Sequence, residues 1–249
     1  MKRIFLSLLF LPAFAFASVS GMDDMNPNIS SATQAKLDTA VTTYYQHPSI
    51  QKVDTVLDIM TGSEVLRKKT AWPPFVGFLT VVFAHNKDHV MQWLSRNDYN
   101  MHAQDVIIEA LLHAKLKEDA LIFAKGEQWE EADIEKLRQA QDKVDLKKLS
   151  VILPGHIDTL WGAFFGSGDA VYVREIIEVL FMTSLPSSPD VAVPPGYDML
   201  AENKKLAETT LRQYAAQHKP VRDIIRATMA EEKSSGHKAL LKQLLPHSP

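Results

Sequence analysis

The sequence predicts an all-α fold: an irregular array of stacked antiparallel helical hairpins of the α-solenoid kind. Three observations lead there. Apolar residues recur at helical spacing along most of the chain. Helix-starting and helix-ending residues punctuate those runs. Windows with the period-two alternation of strands are almost lacking. The composition agrees, since 46% of the 249 residues are hydrophobic and 23% charged, an ordinary globular mixture rather than a disordered or collagen-like one.

Residues 1–17 read as a signal peptide. Lys2 and Arg3 precede the apolar run Ile4–Leu11, and Ala15-Phe16-Ala17 places cleavage before Ser18. The run is shorter than the roughly 20 residues that span a bilayer. These proportions are those of a bacterial export signal, so the expected location is periplasmic or secreted. No later apolar run is long enough for stable membrane insertion after cleavage. The mature chain keeps all 30 acidic residues and loses two of 27 basic ones. A modest negative charge speaks against nucleic acid as a partner, which calls for a basic face. Cysteine is absent, which excludes disulfides, thiol catalysis, thiolate metal sites and a lipoprotein anchor.

Residues 18–30 read as a mobile, aperiodic leader, and 31–183 as the main helical domain. Ser30 or Ser31 caps a first helix from near Ala32 through Leu37, Val41, Tyr44 and Tyr45, which His47-Pro48 ends. Pro48 opens a second, with Ile50, Val53, Val56, Leu57 and Met60, closed by Gly62. Pro73-Pro74 starts a third through Phe83, and His85-Asn86 turns the chain into a fourth with Val90, Trp93 and Leu94. Further helices are expected at 102–116, 118–125 and 129–143. Pro154-Gly155 is a break, followed by helices at 157–165 and 171–182 around Gly166-Ser167-Gly168-Asp169. Residues 184–198 hold Pro186, Pro189, Pro194 and Pro195, too many for a helix. Beyond this connection, residues 199–249 supply helices at 199–217, 220–233 and 237–245 that pack on the same domain.

The chain echoes itself. Val173-Arg174-Glu175-Ile176-Ile177 returns as Val221-Arg222-Asp223-Ile224-Ile225. Phe83-Ala84-His85-Asn86 with Val90–Leu94 parallels Phe165–Gly168 with Val173–Ile177. A helical hairpin cannot bury its own apolar face, so such units stack. Trp161, Gly162 and Phe165, with Pro186 downstream, follow part of the spacing of tetratricopeptide-type hairpins, and the segment resembles that family over about one unit. Arg174 stands where that motif has a small residue, and Glu178 where it has an aromatic. The resemblance implies a scaffold that binds peptides or proteins.

Candidate chemistry competes with plainer readings. His85 and His89 stand four apart, a spacing that holds zinc on one helix face, but Asn86 interrupts the helix and a third ligand is not apparent. His156, Asp158 and Ser167 contain the residue types of a hydrolytic site, without the strand of a nucleophile elbow; Asp169 reads better as a helix cap. Leu160–Phe165 reads as a core helix, in which Gly162 and Ala163 permit a close crossing; its alternative is an aromatic groove. Arg67-Lys68-Lys69 beside Trp72 reads as a solvated turn, with an acidic lipid or partner as the alternative. Glu127–Lys148 reads as an exposed, self-paired helical face.

The expected function is noncatalytic binding of a protein or peptide partner, with no cofactor. Trp72, Phe75, Trp93 and Trp161 are the residues to test, because aromatics dominate interfaces when exposed. A small-molecule or lipid carrier with an apolar cavity near Phe164 and Phe165 is the alternative. An enzyme using His85, His89 or His156 is the third reading.

Overall fold

The computed structural model describes residues 30–95, 99–141, 143–186 and 198–246. The signal segment, the leader up to residue 29 and most of the Pro-rich connection lie outside them. Among the described residues the chain forms twelve α-helices and no strand, and no helix is long and apolar enough to cross a membrane.

The helices begin where the sequence supplies caps. α1 (Ser31–Thr42) starts at Ser30, whose hydroxyl accepts from the Thr33 amide at 3.1 Å. A 3₁₀ turn at Tyr44–Gln46 follows, and His47, restricted by Pro48, breaks the chain. Ser49, rather than Pro48, caps α2 (Ile50–Gly62). Gly62 is the last residue of α2 but lacks the left-handed conformation of a glycine cap; the chain leaves extended at Ser63. α3 (Trp72–His85) carries Pro73 and Pro74 in its first turn, where a missing amide costs little. Asn86 ends it, and α4 (Lys87–Leu94) follows at once.

α5 (Met101–His113), α6 (Lys117–Gly126) and α7 (Glu131–Gln139) come next. α7 pairs its own charges, Lys136 with Asp133 and Arg138 with Glu135, but it stops at Gln139, short of the helix expected over 129–143, and the self-paired face expected over Glu127–Lys148 ends with it: Lys143 and Lys147 turn to Glu109 and Asp169 instead. α8 spans Pro154–Ser167, so Pro154-Gly155 opens a helix instead of breaking one; proline fits the first helical position. Gly168, at φ +74°, ends α8, and the Asp169 carboxylate accepts from the Val171 amide at 3.1 Å to cap α9 (Ala170–Phe181). α10 (Met199–Gln217), α11 (Lys219–Glu231) and α12 (Ser235–Leu244) complete the set.

The centre of the molecule is the parallel pair α3 and α8. Ten of the fourteen α3 residues are buried, the mark of a helix enclosed on all sides. A methyl group added at Gly77 would lie 1.9 Å from the Thr159 carbonyl oxygen, and one at Gly162 2.0 Å from that of Pro74. The two backbones therefore touch at positions only glycine can occupy. On its other faces α8 carries Trp161, Phe164 and Phe165, which meet Tyr45 and Tyr214 at centroid separations of 4.5–6.3 Å. Buried aromatics at such distances add specific ring contacts to their apolar burial. One apolar cluster runs from Leu37 to Leu244, so the C-terminal helices share this core. The echoed segments lie on α9 and α11, which pack together and are linked by Arg174 and Glu231.

Candidate functional site

The four aromatics part company. Phe75, Trp93 and Trp161 are 2–3% exposed and belong to the core. Trp161 donates its indole N–H to the Thr210 hydroxyl at 2.9 Å, and Trp93 packs on Phe83. Trp72 is half-buried and lines an open groove of about 600 Å³.

Four stretches of chain build that groove: the approach and first turns of α3, the end of α5, the segment between α7 and α8, and the start of α8. Trp72 donates its indole N–H to the Leu66 carbonyl at 2.7 Å, which fixes the ring. The Lys69 ammonium lies 5.2 Å from the ring centroid, within cation–π range. Neither α3 nor α8 has a side-chain cap at its N-terminus, and the residues of both first turns line the groove.

Two histidines face it. His113, in the last turn of α5, has Nδ1 at 2.7 Å from the Val144 carbonyl. A carbonyl only accepts, so Nδ1 carries the proton and the neutral ring keeps a lone pair on Nε2. Burial holds the His113 imidazole below its ordinary range; Val144 and Glu109 oppose this, while Lys143 and Lys115 reinforce it. His156 has Nδ1 between the Ser150 carbonyl (2.9 Å) and the Ile152 amide (3.2 Å). These neighbours favour opposite protonation states at that atom, so the ring satisfies one at a time. Burial lowers His156 too, against the hydrogen bond to Ser150. Both rings are therefore neutral at pH 7. Lys143 approaches Glu109 at 3.9 Å.

A smaller concavity of about 370 Å³ lies between the end of α2 and the start of α5, lined by Ser63, Glu64, Arg67, Asn100 and His102. The His102 and Trp72 rings are 6.1 Å apart. Trp72 thus stands between two concavities on one face of the molecule.

The constellation expected of a hydrolase is not assembled. His156 and Ser167 lie at opposite ends of α8, about 16 Å apart along its axis at 1.5 Å per residue. The Ser167 hydroxyl donates to the Ala163 carbonyl and accepts from the Asp169 amide. Asp158 lies near Tyr214 instead; burial pushes its carboxyl up to about 7, and its charge adds to burial in raising the Tyr214 phenol. His85 ends α3 and His89 sits in the first turn of α4, on either side of the break at Asn86. Among the described residues no three His, Asp or Glu side chains are grouped to hold a metal ion.

Of the residues singled out in the sequence, the structure brings Lys69, Trp72 and His156 to one groove. His113, Glu109 and Lys143 join them. His113 closes an amphipathic helix and Lys143 sits in a charge-rich connection, so neither carries a local signal. Compared with known protein families, curated proteins and solved structures, the chain matches none. Fold and groove together define an all-helical protein with an open concave surface of mixed polarity.

Proposed function

We propose that this protein is an exported, noncatalytic scaffold that binds a protein or peptide partner, and that the groove beside Trp72 seats that partner. The observation that carries the reading is the placement of Trp72. Its indole is held by Leu66, keeps an accessible portion, and stands between two concavities. A preset aromatic in a shallow concavity is the usual anchor of a protein interface, and two adjoining hollows suit an extended peptide better than one compact ligand. Phe164 and Phe165, which would line a carrier's cavity, are fully buried against neighbouring rings, so support for the carrier reading is thinner.

The proposed architecture is a set of helical hairpins leaning on neighbouring hairpins. The sharp α8–α9 junction at Gly168 and the contact of α9 with α11 support it. Its most intimate contact, α3 with α8, joins helices distant in sequence, hence an irregular array. Site-specific photocrosslinking tests the function. A crosslinker replacing Trp72 is expected to capture one discrete partner segment, whereas one replacing Ile122, an exposed apolar residue outside the groove, captures none. Equal capture from both positions contradicts the reading.

A further inference from the structure

We propose that the groove selects an acidic peptide: a carboxylate side chain seats between Lys143, Lys69 and His113, and its apolar neighbour lies on the Trp72 ring. This rests on the binding reading above and names the partner's chemistry. The charges around His113 carry it. Its own helix contributes Glu109, the turn after it Lys115, the connection before α8 Lys143, the approach to α3 Lys69, and α8 the neutral His156. The lining carries Lys69 and Lys143 against Glu109, with Lys115 beside His113 and the Asp105 carboxylate beside Lys69; the balance is positive, and a positive concavity concentrates anions.

The cations are also placed for the task. Lys115 donates to the Lys143 carbonyl, pinning the segment that brings Lys143 to the groove. Lys143 meets Glu109 only at 3.9 Å, beyond hydrogen-bond length, so its ammonium retains donors for a carboxylate. His113 already spends its Nδ1 proton on Val144. A carboxylate arriving at Nε2 favours a second proton there, so peptide uptake draws a proton onto His113. An anionic lipid surface fits less well, because the Trp72 indole is recessed and tied to Leu66 rather than projecting from the surface.

The test uses the purified, ¹⁵N-labelled full chain with acetyl-Leu-Asp-Phe-amide and acetyl-Leu-Asn-Phe-amide as probes. The aspartyl peptide is expected to shift the Trp72 indole resonance and to bind about tenfold more tightly than the asparaginyl one. That preference grows about threefold between roughly pH 7.5 and 6. His113→Gln removes the growth, and Lys143→Gln, an exposed and structurally mild change, removes most of the preference. Equal binding of both peptides at Trp72 overturns the inference while leaving the binding reading intact. No Trp72 shift with either peptide contradicts both. A Trp72 shift produced by phosphatidylglycerol vesicles and by neither peptide overturns the inference in favour of a membrane surface.

Discussion

Gly162 and Pro74 meet backbone to backbone: a methyl group on Gly162 would lie 2.0 Å from the Pro74 carbonyl oxygen. Gly162→Ala, like Gly77→Ala opposite Thr159, must push α3 and α8 apart along their length. We expect each to cost about 3 kcal/mol or more, at the upper end of overpacking effects. Gly126→Ala is the control. It ends α6 with nothing within 4 Å of the added methyl, so its effect stays within about 1 kcal/mol. Urea unfolding of the three variants measures the difference.

Asp158 makes stability depend on pH. Its carboxyl titrates near 7 in the folded chain against 3.8 ordinarily, because burial penalises the charge. The folded state therefore holds the proton more tightly. The group's contribution is complete below 3.8 and is lost as pH rises through about 7. Three histidines act oppositely: burial lowers His113, His156 and His218, so acid below about 6.5 destabilises through them. Asp158→Asn isolates the carboxylate. Near pH 8 the variant should be more stable than the parent by about 2 kcal/mol, a figure reduced from full linkage because the side chain is only partly enclosed. Near pH 4 the two should unfold alike. A variant less stable at the higher pH contradicts the assignment.

Trp161 and Thr210 form a buried relay, in which the indole N–H donates to a hydroxyl that itself donates to the Leu206 carbonyl. Thr210→Val strands the indole N–H and should cost about 1–3 kcal/mol. In a Trp161→Phe background the same change should cost less, because no donor is left unpaired. Thermal unfolding of the four chains in this double-mutant cycle gives the coupling; additive effects would mean the bond contributes nothing.

Asp169 caps α9 and also receives the Lys147 ammonium at 2.7 Å. Asp169→Ala should cost about 1 kcal/mol, typical of a lost N-cap, and Asp169→Asn about half that. Addition of 1 M salt should narrow the gap between Asp and Asn but not that between Asn and Ala, since only the ion pair is screened. Denaturant midpoints at two salt concentrations report it.

Much of the fold was legible because helix ends are local chemistry. Ser30 and Asp169 accept from amides two or three residues on, the prolines of α3 fill first-turn positions where an amide would go unpaired, and the bounds of α10 can be read directly from its pattern. Pro154-Gly155 misled, because proline both breaks helices and begins them. Gly162 could be read as a close-contact residue, but its partner on α3 could not, since nothing in a sequence says which glycine another helix will meet. The site was legible only in part. Trp72 and His156 stand out by type, whereas Phe75, Trp93 and Trp161 stand out equally and are core. His113 and Lys143 matter only because α5 and the segment before α8 converge in space.

The groove beside Trp72 is the proposed binding surface. Isothermal titration of the partner captured there, against the parent chain and Trp72→Ala, tests it most directly. We expect affinity to fall at least about tenfold, as for an interface anchor, with helical content retained. Unchanged affinity in a folded Trp72→Ala chain would contradict the account.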